Sequence, residues 1–494
     1  MKKIASLTIL RWISLGFIFL SVLITLVQLV AYSRVRNSFP PGLVVAKVSV
    51  GGLNQTEAAE RLEQSYGIPI EIHYNEAVIQ VRPAVVGFDL DLETMLAAAD
   101  LQRINLPFWT AFWDYLWNSL PIPSEVPLRA TISEERLRSF LQNEIAPRYD
   151  VEASAPEPVP GSAEFKPGSK GTVLDIDRAV VLITDSLKSP SNRVVNLTFS
   201  QVDPPRPSLE NLQVLLQQVM DVAKYDGLAE VYLMDLQTNR ELHFAYLDHE
   251  SIPPDIAFTA ASTMKIPIMV SVMRRVSEPI PQGVADSLAL MIERSENDPA
   301  DRMMEQVMDP NLGPLQVTED LRSLGLPNTF LAGHFYAGAP LLQRFATAAN
   351  QRTDVSTDPD DYNQTTPAEM GMLLEDIYQC SLTGGGSLAA VFPGLISQNE
   401  CQQMIDYLAL NKIGVLIQAG LPEGTRIAHK HGWILDTDGV IHDISDAGIV
   451  YTPGGNYILT IYLYHPVQLV FDPTNRMVAD LSRAVYNYFN SSEK

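Results

Sequence analysis

The longest apolar run in the chain comes at its start, where residues 12–33 carry no charge and are dominated by Leu, Ile, Val and Phe. At a rise of 1.5 Å per residue, such a run covers roughly the 30 Å of a bilayer's hydrocarbon core and predicts a transmembrane helix. Lys2, Lys3 and Arg11 precede it, and Arg34 and Arg36 follow. This bias predicts a cytoplasmic stub over 1–11 and an exported body. The run has neither the shorter apolar core nor the small-x-small site of a cleaved signal, so an uncleaved anchor is expected.

Beyond the anchor the apolar stretches are short. Alternation over 44–50, 70–74 and 78–81 predicts strands, and 56–64 and 95–99 read as helices. The phrase Gly87-Phe88-Asp89-Leu90-Asp91 recurs as Gly171-Thr172-Val173-Leu174-Asp175-Ile176-Asp177 ahead of a helix over 179–187, and a strand over 194–199 follows. Two small α+β modules are expected, over 38–122 and 123–202. Between them Phe108, Trp109, Phe112, Trp113, Leu116 and Trp117 recur at spacings of three and four, which places them on one helical face. Such a stripe is expected in a core; the alternative is a face lying in the headgroup layer.

Prolines mark a linker over 203–208, and a third region over 209–494 follows. Ser208 caps a helix over 209–223, whose Leu212, Leu216 and Val219 keep the helical period. Strands over 229–236 and 241–246, a helical middle, strands over 449–451 and 457–464, and a helix over 476–489 complete the order. The prediction is an α+β class, with an antiparallel sheet flanked by helices and an all-helical subdomain.

Length and charge narrow the function. A chain of 494 residues exceeds one core. Its 35 basic against 58 acidic side chains leave a net charge of -23, which repels phosphate backbones and argues against nucleic-acid binding. Cys380 and Cys401 can pair in an exported protein or remain buried thiols. The histidines show no metal-ligand spacing, and neither metal nor cofactor is expected.

The candidate chemistry begins at Ser262-Thr263-Met264-Lys265, where a hydroxyl and an amine fall one turn apart at the opening of an apolar helix. Alone, such a motif is equally an N-cap serine followed by a solvated lysine. Downstream come Ser295-Glu296-Asn297 and Lys430-His431-Gly432. Together the three resemble the S-x-x-K, S-D-N and K-T-G elements of class A β-lactamases and penicillin-binding proteins. The resemblance covers roughly 209–494 and implies a β-lactamase-like domain. It implies that Ser262 attacks a carbonyl, Lys265 acts as the acylation base, Ser295 relays the proton and Asn297 holds a substrate amide. Lys430 would supply positive potential for the substrate carboxylate, and the N–H groups of Ser262 and Trp433 would bind the oxyanion. His431 and Gly432 complete the expected binding strand. The implied partner is a β-lactam or a peptidoglycan stem peptide. The phrase Val48-Ser49-Val50-Gly51-Gly52-Leu53 resembles the peptidoglycan-binding modules of VanW-type proteins, which implies wall binding; a plain spacer is the alternative.

Three departures matter. The interval from Ser262 to Ser295 is short, which implies a trimmed helical subdomain. His431 stands where the family has threonine, and could narrow the site or titrate near neutral pH. No glutamate lies between Glu319 and Glu369, where the family's hydrolytic residue is expected. Asp354, Asp358, Asp360 and Asp361 are the possible substitutes. Slow β-lactam hydrolysis, D,D-peptidase action and catalytically idle peptidoglycan binding are therefore the competing expectations.

Overall fold

The computed structural model describes residues 2–411, 413–436 and 438–491, with side chains from residue 10 onward. Helix α1 (Lys2–Arg36) contains Leu10–Arg36, the one stretch among the described residues long and apolar enough to cross a membrane, with mean hydropathy 2.5. The helix outruns the uncharged segment because arginine is a good helix former. Residues 1–153 and 170–202 form one compact unit, and residues 154–169 and 203–494 form the other.

In the first unit, α2 (Gln55–Gly67) starts with a reciprocal cap. Asn54 accepts from the Glu57 N–H at 2.9 Å, and the Glu57 carboxylate accepts from the Asn54 N–H at 3.0 Å. Strands β1 (Ile70–Tyr74) and β2 (Ala77–Val81) form a hairpin, followed by α3 (Leu92–Ile104), α4 (Phe108–Leu116) and α5 (Ile176–Leu187). Strand β3 (Val194–Asn196) runs parallel to β1, with Val194 opposite Glu71. The stretch 38–122 thus shares one core with 123–153 and 170–202, in which Leu62, Ile72, Met95, Leu137 and Ile183 are all buried. The recurring Gly-to-Asp phrases are a local device used twice: Asp91 caps α3 and Asp175 caps α5.

Helix α4 corrects the expected core stripe. Tyr32 of α1 packs against Phe108, Phe112 and Tyr115 with ring centroids 5.4, 5.6 and 5.2 Å away. That contact uses one side of the helix. Trp109, Trp113 and Trp117 lie around the other side and remain 62%, 56% and 78% exposed.

The second unit opens with α6 (Leu209–Val222), which Ser208 caps by accepting from the Asn211 N–H. Strands β4 (Leu228–Asp235), β5 (Arg240–Leu247) and β6 (Glu250–Ile252) follow. The helical half holds α7 (Lys265–Met273), α8 (Gln282–Glu293), α9 (Asn297–Met303), α10 (Gly313–Ser323), α11 (Pro367–Thr383) and α12 (Gln398–Leu408). The chain then returns through β7 (Ile427–Leu435), β8 (Ile441–Val450), β9 (Tyr457–Tyr464) and α13 (Phe471–Phe489).

The antiparallel sheet has the order β6-β5-β4-β9-β8-β7. Side chains alternate across it: Val231 and Leu233 join the core with α6 and α13, while Tyr232 and Met234 join the core of the helical half. Two-sided burial leaves β4 buried along its whole length, Glu230 included. Strand β8 begins well before 449 because Asp443, Ser445 and Asp446 are buried within it, which hides the strand from a hydrophobic pattern. Cys380 and Cys401 are paired, with Cα atoms 5.8 Å apart, and join α11 to α12.

Candidate active site

Ser262 sits half-buried in a tight turn, Ala261–Met264, that feeds directly into α7. Ala261 holds φ at 49°, a left-handed conformation that costs of the order of 1–3 kcal/mol outside glycine. Thr263 braces the turn by donating to Ala260 O at 2.7 Å, and Tyr462 of β9 donates to Thr263 Oγ1 at 2.8 Å. Lys265 is completely buried. Its Nζ donates to Ser262 Oγ at 2.7 Å, to Ser295 O at 2.9 Å and to Asn297 Oδ1 at 2.7 Å. The first two predicted motifs therefore meet on one amine.

The third motif reaches the same place from the outer strand. Alternation along β7 directs Ala428 and Lys430 toward the helical half and Ile427 and Trp433 toward the α6–α13 side. Lys430 Nζ donates to Ser295 Oγ at 2.7 Å and to His431 O at 3.0 Å. Ser295 itself holds φ at 60° in the link between α8 and α9. Gly432 packs against the nucleophile turn. A Cβ there would lie 3.1 Å from Ser262 N, 3.0 Å from Ala260 O and 2.9 Å from Ser445 Oγ, so a larger residue would push β7 and the turn apart.

Burial dominates the electrostatics. It lowers the Lys265 pKa to about 7, against some opposition from Asp301. Lys430 is held well below the ordinary lysine range, first by burial and then by the nearby Lys265 charge. A neutral amine near pH 7 can accept a proton from the serine it touches. His431, expected to line the groove and titrate near neutrality, is instead 2% exposed, and burial pushes its pKa down to about 2. Its Nδ1 accepts from Asn411 Nδ2 at 3.0 Å, and its ring stacks on half-buried Trp433 at 4.6 Å.

Two neighbours were missed as site residues. Phe335 lies over Lys265, its ring centroid 5.2 Å from Nζ, and Asp301 accepts from the Phe335 N–H at 2.8 Å. Asp301 carried a usable signal: it follows Asn297 by one turn on α9. Phe335 sits outside any helix or strand, where no periodicity points to it.

Three of the four carboxylates considered as substitutes for the hydrolytic glutamate have other partners. Asp354 pairs with Arg352, Asp361 pairs with Arg344, and Asp360 accepts from Tyr362 N and Asn363 Nδ2. Glu369 accepts from the Asn328 backbone and side chain and from Thr329 Oγ1. Glu230, His243 and Asp255 bring three potential metal-ligating atoms together. The Glu230 carboxylate, however, already contacts His243 Nε2 and the N–H groups of Asp255 and Ile256, which identifies it as an internal anchor.

Residues 283–489 match the model of the beta-lactamase enzyme family. The C-terminal domain is β-lactamase-like. Ser262 and Lys265 lie upstream of the matched segment, and their place beside Ser295 and Lys430 rests on geometry. Among solved structures, PBP-A is similar at 22% identity, over 58% of this chain and 99% of that one, with a TM-score of 0.42. A PBP-A mutant, solved as an acyl-enzyme complex with penicillin G, is similar at 21% identity over 58% and 99%, with a TM-score of 0.41. The class A β-lactamase of the last common ancestor of Gram-negative bacteria is similar at 22% identity over 56% and 99%, with a TM-score of 0.40. No curated protein matches the chain.

Proposed function

We propose that the chain is an exported, membrane-anchored serine hydrolase that forms an acyl-enzyme on Ser262 with β-lactams or with peptides ending like D-Ala-D-Ala. The observation that carries this reading is the pair of 2.7 Å hydrogen bonds, Lys265 to Asn297 and Lys430 to Ser295, which join three sequence-distant motifs. In the proposed reaction neutral Lys265 takes the Ser262 proton as Oγ attacks the carbonyl carbon. The oxyanion is held by the N–H groups of Ser262 and Trp433; as the acyl C–N bond breaks, Ser295 gives its hydroxyl proton to the departing nitrogen and is reprotonated with the proton Lys265 took, which returns Lys265 to the neutral amine. Asn297 holds the acyl side-chain amide, and Lys430 orients Ser295 through its hydrogen bond to Oγ. The anchor is read as uncleaved, with the N-terminus cytoplasmic, and the first unit as a peptidoglycan-binding or spacing element.

Deacylation is proposed to be slow. Phe335, and not a carboxylate, covers Lys265, while Asp354, Asp360 and Asp361 are engaged elsewhere. The same observation supports a second reading, a D,D-peptidase acting on stem peptides. A fluorescent penicillin and a chromogenic cephalosporin, each applied to the full chain in detergent beside Ser262→Ala, test both. Stable labelling of the parent with little cephalosporin turnover supports the acyl-enzyme reading. Rapid turnover rejects slow deacylation. Equal labelling of the alanine variant, or no labelling of either, rejects the Ser262 assignment.

A further inference from the structure

The exposed tryptophan stripe of α4 has no role in the proposed chemistry. Trp109, Trp113 and Trp117 are spaced one helical turn apart and are largely exposed, a large apolar commitment for a surface to leave uncovered. The helix is fixed in place through its other side, where Phe108, Phe112 and Tyr115 surround Tyr32 in the last turns of α1. Arg36 donates to Leu106 O, and Arg103 donates to Arg36 O, which ties the segment leading into α4 to the end of α1. Tyr32 falls at the outer boundary of the uncharged run, just before Arg34 and Arg36. Anything packed there lies at the depth of the headgroups if α1 crosses the bilayer. Tryptophan is the side chain suited to that depth, since its ring is apolar and its indole N–H needs a polar partner.

We infer that α4 is an interfacial helix whose Trp109 and Trp113, with Trp117 at its C-cap, lie in the outer headgroup layer of the bilayer that α1 spans. The occupant of the stripe is lipid, because the stripe is continuous with a helix already committed to the membrane. The inference rests on the anchor reading of α1. Its consequence is that the first unit is held against the bilayer by two elements instead of hanging from a single flexible stalk.

The five tryptophans of the chain allow the two readings to be separated. The full chain is reconstituted into phosphatidylcholine/phosphatidylglycerol vesicles containing lipids brominated either close to the headgroup or near the acyl-chain end. One variant, Trp12→Phe with Trp433→Phe, leaves only the α4 stripe fluorescent. A second, with Trp109, Trp113, Trp117 and Trp433 all changed to Phe, leaves only Trp12 on α1. Stripe fluorescence quenched more by the shallow bromine than by the deep one, and shielded from aqueous iodide, is the expected result. Stripe fluorescence open to iodide and untouched by either bromolipid overturns the inference, as does shielding from both, which would mean that protein covers the stripe. Quenching of Trp12 by bromolipid keeps the anchor reading intact when the stripe result fails; an unquenched Trp12 removes the anchor reading itself. Circular dichroism of each variant confirms that the phenylalanine replacements fold.

Discussion

Lys265 is buried without a carboxylate among its three hydrogen-bond partners. Its pKa of about 7, below the ordinary 10.5, sets the direction of two pH effects. Acylation requires the free amine, so its rate should rise with pH through about 7 and then level off, as followed by stopped-flow labelling. Between pH 7 and 10.5 the unfolded chain holds a proton that the folded chain has released, so this group's contribution to stability also rises with pH in that window. Lys265→Ala should slow acylation by about 100-fold to 10,000-fold. Lys265→Arg should not restore the rate, because a guanidinium stays charged. Gly432→Ala tests the approach of β7 to the nucleophile turn: a Cβ 3.1 Å from Ser262 N should lower the acylation rate while leaving the sheet folded. Ser262, Lys265, Ser295 and Lys430, which the fold brings together, were legible in the sequence because the three motifs fix residue type and local spacing. Phe335 was not, since its role comes from where a loop happens to lie. The burial of His431 was hidden as well, because its partner Asn411 is distant in the chain.

At the scale of elements, the helical half depends on ties that cross between helices and loops. The Cys380–Cys401 disulfide holds α11 to α12. Replacing both cysteines with alanine should cost about 3 kcal/mol, the chain-entropy value for a loop of this size, measured by denaturant unfolding of the oxidised parent and the variant. Helices and strands of the sheet domain were readable where burial followed a period, as in α6, or ran along a whole strand, as in β4 and β9. They were obscured where polar residues are buried with partners. Asp446 illustrates this in β8: it contacts His429 at 2.9 Å and accepts from the Ile417 N–H at 3.1 Å, so a strand interior looks polar. The exposed face of α4 shows the opposite failure, since spacing alone does not reveal which surface an apolar stripe meets.

At the scale of the molecule, the order of elements in residues 209–494 carried the domain's architecture, because a helix and strands, a helical middle, then strands and a closing helix follow one another there. The division of the first unit was less visible, since the parallel pairing of β1 with β3 joins segments more than a hundred residues apart. Topology has a direct check: protease added to intact cells should digest the body beyond Arg36, and full protection would contradict export. The claim on which the function rests is covalent chemistry at one oxygen. Intact-protein mass spectrometry of the full chain after incubation with penicillin, followed by peptide mapping, reads it most directly. A gain equal to one whole penicillin, carried on Ser262, persisting after free drug is removed and absent from Ser262→Ala, is expected. No adduct, or the same adduct on the alanine variant, would contradict it.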